Sequence, residues 1–465
     1  MVRQMIIKEK IIKDLSFSKD YIIKNIKIKE IDVKIIYNLT VTNAINITNY
    51  ILRPLQSFTK KQLFRLEKSL LIDEVNILSE NEIIDYINQG YVIIITNKIY
   101  AIPAPKDLSR GITTIESELS LTGPKDSFTE QFNINLGLLR KRIKSEKLKC
   151  YEMKLGRYTK TKVGILYIDG ITKKDLVKHI EKNLTKIDID GILDSSYLKS
   201  SLEKRINLFP TIIMTERPDK CCMSLLEGKA AIIVDNSPYA LILPGFFLDC
   251  FHTIDDYYQK SFHVSFIRII RLIAFLIAIF TPAIYLSITT RNYNLVSLNL
   301  LLMLKAGRSF VPFPAYIEAL FMIICFEILK ESDLRMSTTS GSSISILGGL
   351  ILGDAAVSAG IVSPIMIIVI AISSIAGLIF TSIELENTLR TYKIFFLLLA
   401  TLFGILGVLY GTIIMIYQLF KTEIFGYNYF SLNKTEIKDS IIKIDSKIRK
   451  RNPRLTNNII RGKYK

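Results

Sequence analysis

The 465-residue chain has no tryptophan, three histidines and five cysteines. Cys150, Cys221, Cys222, Cys250 and Cys325 show no CxxC spacing, and the adjacent pair provides no disulfide framework. So few and so scattered Cys and His exclude a zinc site, so no metal is expected. Free thiols without a framework point to a reducing compartment for the soluble part. Heavy use of Ile, Lys and Asn beside the missing Trp reads as coding bias rather than function. There is no P-loop, GxSxG, HExxH or dinucleotide fingerprint, and no nucleophile–base constellation. The expectation is therefore a non-enzyme without a cofactor. The first residues, MVRQMIIKEKIIKDLSFSKD, lack the apolar core and small-residue cleavage site of a secretory signal. The soluble part is thus expected in the cytoplasm. Net charge is +18, yet no basic stripe interleaves with aromatics. That excludes a nucleic-acid partner and favours attraction to membrane lipids.

Apolar residues are present in quantity but unevenly, concentrated in the last two fifths of the chain. The expected fold class is α+β: two tandem related α/β subdomains followed by a polytopic α-helical membrane domain. The expected divisions are a flexible basic N-terminus (1–30), subdomain 1 with a linker helix (31–150), subdomain 2 (151–262), the membrane domain (263–420) and a basic tail (421–465). Two internal echoes support the tandem reading. VKIIYNLTVTNAINITNYILRPL (Val33–Leu55) parallels VGILYIDGITKKDLVKHIEKNL (Val163–Leu184): an apolar strand, a turn, then helical spacing. DYINQGYVIIITNKIYA (Asp85–Ala101) parallels LLEGKAAIIVDNSPYA (Leu225–Ala240), each with a helix stopped by a glycine, Gly90 or Gly228. The competing reading is two units that merely share strand and helix grammar. Between the copies, Leu136, Leu138, Leu139 and Ile143 suit a helix whose other face, Arg140, Lys141, Arg142 and Lys144, reads as solvated. Asp169-Gly170 reads as a turn, and Glu216, Arg217, Pro218 and Asp219 as an ion-paired subdomain junction at a helix start.

Spans of roughly 20 apolar residues suffice to cross a bilayer, and four are expected: 272–288, 313–329, 355–381 and 394–420. Leu295–Leu304 is too short and reads as re-entrant or interfacial. The tail carries twelve Lys/Arg against four Asp/Glu, which places it in the cytoplasm by the positive-inside rule. Arg268 and Arg271 before the first span say the same of the soluble region. The loop SIELENTLRTYK then falls outside.

The candidate functional residues lie in this half. Gly341, Ser345, Gly349 and Gly353 recur every fourth residue, stacking on one helix face where another backbone can approach closely. Asp354 follows, and Gly360 closes the stretch. This reads as the wall of a helix seam or of a pore, with plain packing as the rival. Pro312 and Pro314 break the chain before a helix carrying Glu318, Glu327 and Glu331, bracketed by Arg308 and Arg335. Carboxylates at that depth pair with Arg, face protein or meet water, and rings of them attract cations.

TERPDKCCMSLLEGKAAIIVDNSPYALILPGFF, RSFVPFPAYIEALFMIICFEILKES and SISILGGLILGDAAVSAGIVSP, with GPKDSFTE and LLRKRI, together resemble the A subunit of the GerA family of spore germinant receptors. The resemblance runs from about residue 30 to 420. Asp354 departs from the pattern, where relatives often carry Gln or Glu. What the resemblance implies is a multi-pass subunit in the spore inner membrane, with both termini cytoplasmic. It implies a homo-oligomer that releases monovalent cations when nutrient binds, working with a transporter-like B subunit and a lipoprotein C subunit. A germination-amplifying member of the same family and a non-conducting membrane scaffold remain the alternatives.

Overall fold

The computed structural model describes residues 18–29, 31–70, 75–79, 82–106, 118, 122–203, 207–335, 353–380, 382–431, 441–443, 451 and 454–456, the side chains of 333–335 excepted. Gly341, Ser345 and Gly349 lie outside the described residues.

Short runs of Ile and Val with period-2 alternation make the strands. The first sheet contains β1 (Tyr21–Ile28), β2 (Ile31–Asn38), β3 (Asn76–Ile77), β4 (Tyr91–Ile95) and β5 (Ile99–Pro103), in the spatial order β1-β2-β4-β5-β3. Helical turns Ala44–Asn46, Ile47–Leu52 and Arg53–Ser57 cover one face, and α1 (Ile83–Asn88) covers the other. Ile35, Val92 and Ile94 point to the first layer, while Ile36, Ile93 and Ala101 point to Ile83 and Ile87 of α1.

The linker helix α2 (Phe132–Arg142) leads to the second sheet: β6 (Leu148–Leu155), β7 (Thr161–Ile168), then α3 (Lys174–Leu184), α4 (Ser195–Leu202), β8 (Ile213–Thr215), α5 (Pro218–Leu226), β9 (Ala230–Val234) and β10 (Ala240–Leu243). Its order is β6-β7-β9-β10-β8, the same connectivity as the first. Every ladder in both sheets is antiparallel. Both faces are covered: Ala231 and Ile233 pack on α2 and α5, and Ile232 and Val234 on α3 and α4. The two glycines that stop the echoed helices have positive φ, +91° at Gly90 and +98° at Gly228, as a helix C-cap requires.

The linker helix corrects one expectation. Arg140 is fully buried rather than solvated, because its Nε donates to Asp20 Oδ2 at 2.9 Å and its Nη1 to the Leu148 carbonyl at 2.5 Å. Arg142 pairs with Asp126, while Lys141 and Lys144 are exposed. The basic run thus splits between a bolt onto subdomain 1 and a wetted edge.

Beyond the second sheet lie α6 (Ser261–Thr290), α7 (Leu298–Ala306), α8 (Ala315–Arg335), α9 (Pro364–Gly377), α10 (Ile383–Phe403), α11 (Ile405–Lys421) and a small hairpin, β11 (Glu423–Ile424) and β12 (Tyr427–Asn428). Among the described residues, Ser261–Thr290 alone is long and apolar enough to cross a membrane by length and composition; Pro364–Gly377 and Ile405–Lys421 are apolar but shorter.

Two expected spans are broken. The stretch 355–381 is interrupted before Pro364, which has no N–H to continue a helix and instead opens α9 behind the N-cap Ser363. The stretch 394–420 folds back at Gly404, where φ is +63°. There α10 ends and α11 begins, forming an antiparallel pair in which the Tyr392 hydroxyl donates to Gln418 Oε1 at 2.8 Å. The segment expected as an outside loop, SIELENTLRTYK, is helical and lies against the second subdomain: Lys199 of α4 pairs with Glu384, and Thr388 Oγ1 donates to the Leu208 carbonyl.

Contacts order the bundle along its length. Its base meets subdomain 2. Its far end gathers Arg291, whose Nε donates to the Thr401 carbonyl, and Asn292, whose Oδ1 accepts from the Ile405 amide. From that end α8 descends to the base of α10, and residue 360 is back at the far end beside the Phe310 carbonyl. The described tail returns to subdomain 2. Lys443 Nζ donates to the Gln259 carbonyl at 2.6 Å, and the Lys173 amide donates to the Leu455 carbonyl.

Candidate functional site

Two polar centres stand out, one at each end of the helices. At the far end, Pro312 and Pro314 bend the chain so that Arg308 folds back over the first turn of α8. Arg308 Nε lies 3.3 Å from Glu318 Oε2, and the Glu318 side chain is fully buried. Glu318 Oε1 accepts from both the amide and the hydroxyl of Ser363, at 2.6 and 2.5 Å. Ser363 Oγ in turn accepts from the Met366 amide. One carboxylate therefore joins the loop before α8 to the start of α9 and satisfies donors that a helix N-terminus leaves open. Arg308 and Glu318 are thereby brought together. Sequence reasoning missed Ser363, although Ser-Pro is a legible helix-start signal.

At the base, Glu327 accepts an ion pair from Arg390 of α10 at 2.7 Å, and Lys330 pairs with Glu386. Glu318 and Glu327 sit nine residues apart on α8, about 14 Å along its axis, and form no single cluster. Glu331 and Asp354 are exposed. Among the described residues, no atom lies within 4 Å of where a Cβ on Gly353 would be. A Cβ on Gly360, whose φ is +66°, would stand 3.2 Å from the Phe310 carbonyl oxygen. The side chain of Arg335 lies outside the described set.

The root of α6 is the second centre. Arg268 Nε donates to Asp256 Oδ2 at 2.8 Å, and Arg271 Nη1 to both Asp256 oxygens at 3.0 and 3.1 Å. Arg271 also donates to the Phe251 carbonyl and Thr253 Oγ1. Burial would raise the Asp256 carboxyl, but the Arg271 and Arg268 charges together hold it below the usual carboxylate range. Beside it an aromatic cluster crosses the boundary. Phe247 and Phe251 of the closing turn meet Phe275 of α6 at 5.7 and 5.4 Å, and Phe209 before β8 meets Tyr392 of α10 at 5.3 Å.

The junction cluster behaves as a lock. Arg217 is fully buried. It donates to both Asp219 oxygens and to the Pro124 carbonyl, while Tyr258 donates to Asp219 Oδ2 at 2.8 Å. Glu216 accepts from the Glu118 amide, and Pro218 occupies the first turn of α5. These contacts fasten residue 118, residues 122–128 and the approach to α6 onto α5. Asp219 is held below its ordinary pKa: burial acts upward, but the Arg217 and Tyr258 hydrogen bonds outweigh it. Burial and the bond to Asp219 push the Tyr258 phenol up to about 12.

Two antiparallel subdomains of the same strand order are bolted through buried ion pairs to a bundle of apolar helices, of which Ser261–Thr290 is long and apolar enough to cross a membrane. The chain belongs to the family described as Bacillus/Clostridium GerA spore germination protein, whose model matches residues 9–455. Spore germination protein KA of Bacillus subtilis (strain 168) is 37% identical over 340 residues, 72% of this chain and 62% of that protein. Spore germination protein GerQA of Bacillus cereus is 33% identical over 440 residues, 92% of this chain and 88% of the relative. The crystal structure of the N-terminal domain of the A subunit of the Bacillus megaterium spore germinant receptor GerK3 shares 29% identity, covers 52% of this chain and 94% of its own, and superposes with a TM-score of 0.38.

Proposed function

We propose that the chain is the A subunit of a spore germinant receptor and contributes to an oligomeric, nutrient-gated monovalent-cation channel in the spore inner membrane. Its partners are further copies of itself, a transporter-like B subunit, a lipoprotein C subunit and membrane lipids. Both termini lie on the cytoplasmic side. The observation that carries this reading is the extent of the family match, which takes in both the antiparallel subdomains and the helices. The chain spans 62% of KA and 88% of GerQA, so their whole activity is carried over here as part of the proposal.

Movement of a partner passes through Asp256, Arg271 and the aromatic cluster into α6 and α10. The glycine stripe at Gly341, Ser345, Gly349 and Gly353 lets neighbouring copies approach around a wet path. Of the carboxylates that would favour cations, Glu318 and Glu327 are held by Arg308 and Arg390, which leaves Asp354 to face the conduit. A Cβ at residue 353 has no described atom within 4 Å, so Gly353→Leu adds its bulk where the described chain leaves room and chiefly tests contact between copies. Spores carrying Gly353→Leu or Gly349→Leu are expected to lose nutrient-triggered potassium release. Normal release and germination would remove the stripe from the mechanism. Absence of current from the purified subunit with its partners in planar bilayers would favour a scaffold.

A further inference from the structure

We propose that α7 and the turns beside it lie flat in the headgroup–acyl boundary of an anionic leaflet, on the side opposite the α+β subdomains. The inference rests on the membrane reading above. Nine residues of helix span about 14 Å, less than half of the roughly 30 Å hydrocarbon core, so α7 does not cross. Leu304 alone is buried, anchored in the bundle core. Leu298 is 68% exposed, Leu302 57%, Met303 65% and, just past the helix, Phe310 90%. Successive helical residues point about 100° apart, so the apolar exposure at 302 and 303, with Leu298 and Leu300, spreads around the helix. The exposed sector is about 200° wide, broader than a groove in a partner protein covers, and lies open to the acyl boundary while the Leu304 side rests on the bundle.

Charge selects the lipid. Arg291 and Lys305 flank or end the helix, Arg308 being engaged by Glu318, and the stretch from Arg291 through Ile317 contains no Asp or Glu. Lys305 Nζ sits 5.6 Å from the centre of the Tyr293 ring, so an amphipathic ring and a cation are held together at one level. An apolar helix rimmed by cations matches an in-plane anchor in an anionic interface. The level is that of the helix ends, since Arg291 bonds the Thr401 carbonyl beside the Gly404 turn.

The chain has no tryptophan, which makes a single introduced one an unambiguous depth probe. Full-length Met303→Trp protein would be placed in phosphatidylglycerol or phosphatidylcholine vesicles with lipids brominated near the headgroup or deep in the chains. Leu276→Trp, on the exposed face of α6, serves as the deep reference. The expected result is a blue-shifted Met303→Trp emission, quenched more by shallow than by deep bromines and more in phosphatidylglycerol. Adding Arg291→Gln and Lys305→Gln should remove that lipid preference and leave the Leu276→Trp signal unchanged. Quenching of Met303→Trp by aqueous acrylamide instead would mean a free loop and overturn the inference. Deep quenching would mean a re-entrant segment. Shielding from both bromine and acrylamide would mean a second copy or another protein covers it. Loss of bromine quenching at Leu276→Trp as well would fell the membrane reading itself.

Discussion

Arg271 of the long apolar helix holds both carboxylate oxygens of Asp256, at 3.0 and 3.1 Å, and so ties the helix to the turn that closes the second sheet. Arg268 shares the same carboxylate, and all three side chains are buried. Removing the anion leaves two guanidinium groups buried without their counter-charge. Breaking a buried pair from one side costs about 3–5 kcal/mol. Asp256→Ala is expected to destabilise the purified protein by that order, read as a lower midpoint of thermal unfolding in detergent. A midpoint within error of the parent would mean that the aromatic contacts alone hold the root of α6.

The junction around Asp219 should respond to both ends of the pH scale. Its folded pKa is depressed, so its contribution to stability is complete above the unfolded value of about 3.9 and is lost as pH falls through the lower folded value. Tyr258 is the opposite case. Its folded pKa is raised to about 12, so its contribution is complete below the unfolded value of about 10 and is lost as pH rises towards 12. Asp219→Asn should therefore be less stable than the parent at neutral pH, with the gap closing in acid. Tyr258→Phe should show a gap that closes only in strong base. Parallel stability curves for either variant over its own window would contradict the assignment.

Glu318 combines an ion pair with a helix cap, and the two parts separate by substitution. Glu318→Gln keeps an oxygen for the Ser363 amide and hydroxyl but removes the charge that faces Arg308. Arg308 is partly exposed, so the loss of its partner is softened by solvent, to about 1 kcal/mol or less. Glu318→Ala also strips acceptors from the buried Ser363 donors, adding about 1–3 kcal/mol. The expected order of thermal midpoints is parent, then Gln, then Ala. Equal midpoints for Gln and Ala would show that the cap contributes nothing.

What could be read in advance follows from how local the signal was. The repeated strand–turn–helix echoes carried the tandem subdomains because period-2 alternation and a glycine stop, as at Gly90 and Gly228, are written within a dozen residues. The antiparallel ladders were not readable, since strand direction is decided by distant partners. Arg140 shows the same limit. Its neighbours Lys141 and Lys144 are solvated, and Asp20, 120 residues earlier, supplies the counter-charge that makes its burial favourable. In the helices, hydropathy saw apolar runs and joined them, whereas Ser363-Pro364 and Gly404 divide them. Glu327 is legible as a carboxylate in an apolar helix, but its counter-ion Arg390 falls in a segment whose sequence reads as an outside loop.

Gly404 gives the sharpest test of the helical hairpin. Its φ of +63° with ψ of −140° is a backbone conformation that residues with a side chain rarely hold. A Cβ there would stand 2.2 Å from Asn292 Oδ1, the same atom that accepts from the Ile405 amide to start α11. Gly404→Ala thus meets backbone strain and displaces a cap at once. Strain of this kind is of order 1–3 kcal/mol, and losing the cap adds about 1 kcal/mol. Asn292→Ala removes the cap alone and should show the smaller part. Limited proteolysis at the 403–405 turn, in detergent and in vesicles, should rise for Gly404→Ala well above Asn292→Ala. If Gly404→Ala resists cleavage and melts like the parent, α10 and α11 run on as one helix, and the fold-back at their junction is wrong.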